Sequence, residues 1–277
     1  MISTKSLMAF SRELGSKEVV LIRVLLSRDS GELLIVVTHV DDFLLVGEAD
    51  RIDKLFLSKL SHYMKFTGGG TCNDHLGISF TYETYGFYLN QSNKIDLYCK
   101  EIQVTKPMSS LSSDFNGFKS GVEVLETRDL YLKAIGYLNY LSLFSRPDIM
   151  CVASILSSYS EKPTKLAWRA VVKVFAYLLG IKSRSLFHRL NDGSEILFNY
   201  CAYVDASFKS LQEKELKSRS RYIAFLDRNP LFWFSKRQPL TSQSTEEAEV
   251  IAANEGVRAL CGLRNIMIES GLLSAKP

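Results

Sequence analysis

No Cys-x-x-Cys pair occurs in the chain, and its five cysteines (Cys72, Cys99, Cys151, Cys201, Cys261) are scattered and odd in number. That argues against a disulfide framework and for reduced thiols in an intracellular setting. The one metal-like spacing, Cys72-Asn73-Asp74-His75, has no second pair to complete a zinc site. No apolar run approaches membrane-spanning length, so no membrane partner is expected. The first twenty residues carry Lys5, Arg12, Glu13, Lys17 and Glu18 rather than a long apolar segment, which argues against a signal peptide. Gly68-Gly69-Gly70 is not followed by Lys-Ser/Thr and is too bare for a phosphate loop. No internal repeat is visible.

What is present is a chain able to build real cores. It has 277 residues, 46% of them hydrophobic, enough for one large domain or two ordinary ones. Net charge is +4, mildly basic and compatible with nucleic acid without requiring it.

Val36-Val37-Thr38-His39-Val40-Asp41-Asp42-Phe43-Leu44-Leu45-Val46-Gly47 places two adjacent carboxylates between two short apolar runs. Runs of this kind read as buried strands, so Asp41 and Asp42 fall at the bend of a hairpin. Two like charges there repel unless a cation neutralises them. A divalent ion such as Mg2+ takes hard oxygen ligands of this type, and paired ions drive phosphoryl transfer. Asp-Asp is also common in surface turns; the apolar flanks favour the metal reading. The turn resembles the polymerase motif of reverse transcriptases, with His39 where that family usually has Tyr.

Glu18 to Ser27 reads as a strand, Arg28-Asp29-Ser30-Gly31 as a turn and Glu32 to Thr38 as a second strand, giving a three-strand meander over 19–46. Asp50 is a candidate cap for a helix carrying Leu55, Leu57, Leu60 and Tyr63. Leu76 to Phe80 and Gly86 to Asn90 read as a hairpin, and 91–104 as a helix. Thr105 to Gly121 is Ser/Gly-rich and reads as a linker. Helices are expected over Asp129 to Phe144, Asp148 to Ser160 and Thr164 to Leu179, the last closed by Gly180.

Between Lys162 and Arg189 there are seven Lys and Arg and no Asp or Glu. Lys165, Arg169 and Lys173 fall four apart and share one helix face. Such a stripe is either a solvated face or a track for phosphates; the missing counter-charge tilts toward phosphates.

From Glu195 strands return: Ile196 to Val204, Arg221 to Leu226 and Leu231 to Ser235. A helix follows from Thr245 with an apolar face of Ala248, Ile251, Ala252 and Val257. Asp205 ends a strand, and Glu246 and Glu247 open the helix. Helix-terminal acids serve as caps and favour the dipole, and Asp205 can form a turn. A strand carboxylate and a helix carboxylate can also share a metal that positions water against a phosphodiester.

Tyr203-Val204-Asp205-Ala206, Lys217-Ser218-Arg219-Ser220-Arg221-Tyr222, Phe232-Trp233-Phe234-Ser235-Lys236-Arg237-Gln238 and Ser244-Thr245-Glu246-Glu247-Ala248-Glu249 follow one order. This order is similar to the ribonuclease H region of copia-type retrotransposon Pol polyproteins. Tyr137-Leu138-Asn139-Tyr140-Leu141, Ser145-Arg146-Pro147-Asp148-Ile149 and Val174-Phe175-Ala176-Tyr177-Leu178-Leu179-Gly180 resemble the family's segment between polymerase and nuclease. Leu76-Gly77-Ile78 and Leu89-Asn90-Gln91-Ser92 fit the stretch after the polymerase turn. The similarity runs along nearly the whole chain.

The resemblance implies an α+β protein in three parts. Residues 1–104 would be the end of a reverse transcriptase palm with the start of the thumb. Residues 105–194 would be linker and helical thumb or connection, and 195–277 an incomplete ribonuclease H-like α/β domain. Asp41 and Asp42 would hold polymerase metal, and Asp205 and Glu247 would be the first nuclease carboxylates, all on Mg2+ or Mn2+. Glu246 leaves that register open by one. His39, Lys165, Arg169 and Lys173 would contact nucleic acid. The implied activities are RNA-directed DNA polymerisation and cleavage of the RNA strand of a hybrid. The implied partners are an RNA/DNA hybrid or duplex and other Pol or capsid polypeptides. The implied locations are a cytoplasmic virus-like particle and the nucleus. A polymerase Asp expected upstream of Asp41 has no counterpart except Asp29, in a turn, and the family's last nuclease Asp is also missing. Both sites are thus expected to be truncated at the outer end. The alternative is a non-catalytic nucleic-acid-binding or capsid-associated remnant.

Overall fold

The computed structural model describes residues 17–19, 23–29, 32–39, 42–63, 65, 67–111, 123, 125–190, 199–208, 217–270 and 272–273. They fall into two compact units, Met1–His75 with Gly262–Pro277, and Leu76–Cys261.

In the first unit β1 (Lys17–Val19), β2 (Arg23–Asp29), β3 (Glu32–His39) and β4 (Asp42–Val46) form one antiparallel sheet in sequence order. The apolar run that reads as one strand is therefore two: Glu18 lies opposite Leu25 and Val19 opposite Val24. The next turn is tighter than its sequence suggests. Arg28 and Asp29 stay in the ladder, opposite Leu33 and Glu32. Leu34 and Val36, two apart on β3, are buried, as a half-covered strand requires. Helical structure follows as α1 (Ala49–Arg51), a π-helical stretch Ile52–Leu57 and α2 (Ser58–Tyr63). Glu48, not Asp50, takes the N-cap position. Asp50 sits one step inside, where an acid still favours the helix dipole. β5 (Asp74–His75) is a two-residue strand.

In the second unit β6 (Ile78–Glu83) and β7 (Gly86–Asn90) form the expected hairpin, with β6 starting two residues later and ending three residues later than the sequence suggests. β8 (Leu186–Arg189), which the sequence reading misses, pairs with β7 nearly a hundred residues away, Leu89 opposite Leu186. Four helices build the main core: α3 (Ser92–Ile102), α4 (Arg128–Phe144), α5 (Met150–Ser157) and α6 (Lys165–Gly180). Ile95 and Cys99 of α3, Leu138 and Leu141 of α4, Leu156 of α5 and Phe175 of α6 are all buried there. Burying a large apolar side chain contributes about 1.5–3 kcal/mol each, so this face dominates the unit's stability. Thr164 caps α6 by accepting from the Ala167 N–H at 3.1 Å.

Pro147–Ile149 is a 3-10 turn, so the helix expected from Asp148 begins at Met150. Gly180 is the last residue of α6 rather than the residue that closes it. A Cβ there would meet the Met108 carbonyl oxygen at 2.1 Å. The described start of the expected linker is thus packed on α6, and the Met108 N–H donates to Ala176 O at 2.9 Å.

β9 (Tyr200–Ser207), β10 (Arg219–Leu226) and β11 (Asn229–Arg237) form an antiparallel sheet with β10 central. Trp233 Nε1 donates to Ser142 O of α4, and Arg219 Nη1 to Ser154 Oγ of α5, at 2.5 and 2.6 Å. One face of this sheet therefore lies on the helices. The other meets α7 (Thr245–Glu269), where Gln238 Nε2 donates to Ala248 O at 2.8 Å. Ala248 and Ala252 are buried as expected, but Val257 is 57% exposed. The inward position belongs to Gly256, where a Cβ would stand 2.6 Å from Val204 Cγ2.

Candidate functional site

The β3–β4 hairpin places the first acidic pair. Its register runs Val37 to Leu44, Thr38 to Phe43 and His39 to Asp42. His39 and Asp42 are both exposed at the end of the ladder. Val40 and Asp41 lie outside the described residues, so the position of Asp41 does too.

The basic face of α6 is present. Lys165, Arg169 and Lys173 are exposed, while Ala170, Val171, Val174 and Phe175 face the core. The stripe is not free of acid, however. The Leu125 N–H donates to Pro163 O and the Lys165 N–H to Glu123 O, at 2.8 and 3.1 Å. This pairing lays Glu123 along the start of α6, and Lys165 Nζ reaches Glu123 Oε2 at 2.6 Å. The hydrogen bond to Lys165 holds the Glu123 carboxyl below its ordinary range, and the same bond raises Lys165. A count along 162–189 misses Glu123 because it arrives from forty residues upstream. Lys182 is likewise engaged, bonded to Asp96 at 2.7 Å. Arg169 and Lys173 make no ion pair among the described residues.

In the second acidic constellation each carboxylate has a protein partner. Asp205 stands opposite Arg221 in the β9–β10 register, with Arg221 Nη1 3.7 Å from its Oδ2. Glu247 Oε2 accepts from the Gln243 N–H at 2.6 Å, and the Glu247 N–H donates to Ser244 Oγ at 3.1 Å. Ser244 thus caps the helix, while the Glu247 carboxylate reaches back past it to the residue before the cap. Glu246 is held below the ordinary carboxylate range by its own backbone N–H and by the Ser244 and Thr245 hydroxyls. The carboxylates of Asp205 and Glu247 thus have separate protein partners in this structure. Among the described residues no three His, Cys, Asp or Glu side chains converge on a point that could hold a metal. Cys72 Sγ donates to Asp74 O at 3.7 Å.

Two side-chain arrangements go beyond the sequence reading. Phe80, Tyr82, Phe87 and His188 form a ring ladder across β6, β7 and β8, Phe87 and His188 stacking at 5.2 Å. Alternation of aromatics on β6 is a visible signal, but His188 joins only through the long-range β8 pairing. The other is a clip at Ser145-Arg146-Pro147-Asp148. Arg146 forks onto both Asp148 oxygens at 2.9 and 2.7 Å, and Tyr177 Oη donates to the same carboxylate at 2.8 Å.

The chain aligns with transposon Pol polyproteins over most of its length. It is 27% identical over 249 residues to the retrovirus-related Pol polyprotein from transposon RE2 of Arabidopsis thaliana, covering 88% of this chain and 17% of the relative. It is 27% identical over 250 residues to the retrovirus-related Pol polyprotein from transposon TNT 1-94 of Nicotiana tabacum, covering 86% and 18%. The chain is related to the copia-type retrotransposon Pol polyproteins. It spans about a sixth of the length of these Pol relatives. It also matches an uncharacterized mitochondrial protein of Arabidopsis thaliana, 27% identical over 214 residues, 76% of this chain and 86% of that one. No family model and no solved structure matches it. Among the described residues, no helix is long and apolar enough to cross a membrane.

Proposed function

We propose that this retroelement Pol segment holds duplex nucleic acid, an RNA/DNA hybrid in the first instance, along the exposed basic face of α6. The observation that carries the reading is the α6 face. Arg169 and Lys173 are exposed one turn apart on a helix whose opposite side is locked into the main core. A helix packed on one side, whose exposed cations make no ion pair among the described residues, presents a fixed row of donors to phosphates, and phosphate contacts supply affinity without sequence preference. Lys165 takes a lesser part because Glu123 holds it.

On the polymerase side, Asp41 and Asp42 are the acids that would hold Mg2+ or Mn2+, with His39 beside them against the nucleic acid. The hairpin register supports this part, because it leaves Asp42 exposed at the strand end rather than buried in the sheet. A bound ion there would stabilise the developing charge of phosphoryl transfer. On the nuclease side the geometry favours a non-catalytic role, because Asp205 and Glu247 are engaged elsewhere.

The test is a filter-binding titration of an RNA/DNA hybrid by the full chain across a series of salt concentrations. Affinity should fall steeply as salt rises and should not depend on sequence. Binding that ignores salt, or no binding at low salt, would overturn the reading.

A further inference from the structure

We infer that Asp205 and Glu247 lie on opposite sides of the β9–β11 sheet in this chain, so that Asp205 is the partner of a guanidinium rather than of a cation shared with Glu247. Successive side chains on a strand point to opposite faces. Val204 faces α7, since its Cγ2 would meet a Cβ added to Gly256 at 2.6 Å. Asp205 is the next residue, in a ladder with β10 that runs without a bulge from Tyr200 to Ser207. Its side chain therefore leaves the sheet on the face away from α7.

Residues paired across the ladder agree. Val204 is opposite Tyr222, whose phenol is raised first by burial and then by Glu255 of α7. Asp205 is opposite Arg221, and two residues before it in β10, on the same face, Arg219 bonds Ser154 of α5. Trp233, opposite Ile223 on that face, bonds Ser142 of α4. The helix bundle and α7 thus sandwich the sheet. Asp205 belongs to the bundle side and Glu247 to the helix on the other side.

Arg221 supplies the positive charge that the Asp205 carboxylate would otherwise draw from a metal ion, at 3.7 Å. Both side chains are partly exposed, 64% for Asp205 and 41% for Arg221, so solvent screens the pair and its contribution to stability is small. Glu247, for its part, closes the first turn of α7 with Ser244. This inference does not depend on whether α6 binds duplex.

The experiment uses Mn2+ alone as the probe, followed by its paramagnetic resonance signal as it is titrated into the full chain. Asp205→Asn and Glu247→Gln are compared with the parent, all first checked for folding by circular dichroism. The parent and both variants should give the same titration, or lose Mn2+ in at most one of the two. A Mn2+ site in the parent that disappears in both variants would overturn the inference. Thermal melts give a second readout that a shared metal site would not produce without metal. In a chelator, Asp205→Asn and Arg221→Gln should each lower the midpoint, and the double variant should fall no further than the worse single one. Strictly additive losses would show that the two side chains do not act as a pair.

Discussion

Arg146 and Asp148 are locked in a fork only two residues apart in sequence, across the turn that joins α4 to α5. Arg146 is 2% exposed, and its guanidinium also lies 5.6 Å from the Tyr177 ring. Burial pushes the Asp148 carboxyl up, but hydrogen bonds and charge from Arg146, then the Tyr177 hydroxyl, bring it below its ordinary value. Pro147 fixes the backbone between them. The Ser-Arg-Pro-Asp motif is therefore a clip that ties the α4–α5 turn to α6.

Asp148→Ala should destabilise the protein by about 2–3 kcal/mol, somewhat below the range for a fully buried pair, because it strands a buried guanidinium. Chemical denaturation measures this. Loss of less than about 0.5 kcal/mol, the range of an ordinary surface change, would mean the fork is not structural.

His188 should make stability depend on pH. Burial lowers its pKa from 6.5, since the charged ring is disfavoured beside Phe87. A depressed folded-state value means the folded chain binds the proton less well than the unfolded chain. The contribution is then fully present above about 6.5 and is lost as pH falls from there through the folded-state value. His188→Phe should keep the ring stack and flatten the fall in melting temperature over that interval. An unchanged pH profile in the variant would contradict the assignment.

A polypeptide of these 277 residues is not expected to extend a primer on an RNA template with Mg2+. Ahead of Asp41 the sequence holds one Asp, Asp29, which ends β2 opposite Glu32. Two-metal transfer needs acids held in fixed positions around both ions. Extension by the parent that Asp41→Asn abolishes would show that the turn acids suffice.

Most elements were legible in the sequence because apolar periodicity and caps are local signals. The helix from Arg128 to Phe144 and the Thr164 cap are such cases. What stayed hidden depends on partners far away in the chain. Glu123 neutralises Lys165 through a backbone pairing that no helical wheel contains. β8 exists as a strand only because β7 offers it an edge. Val257 looks like core by spacing, but the Gly256–Val204 contact turns α7 so that the glycine faces inward. The same rotation and alternation decide the candidate site. A motif places Asp205 and Glu247 in order along the chain, whereas the face of the sheet that Asp205 occupies depends on the register of β9.

Duplex binding through α6 is the central claim, and the salt slope measures it. Each phosphate that the protein no longer neutralises should flatten the dependence of log affinity on log salt by about 0.9 for duplex DNA, with a similar order for a hybrid. Arg169→Ala with Lys173→Ala should therefore reduce the slope by about 2, weakening every duplex sequence alike. Lys165→Ala should change it less than either single variant of that pair, because Glu123 already competes for the ammonium. An unaltered slope in the double variant would contradict the claim and leave the stripe a solvated face.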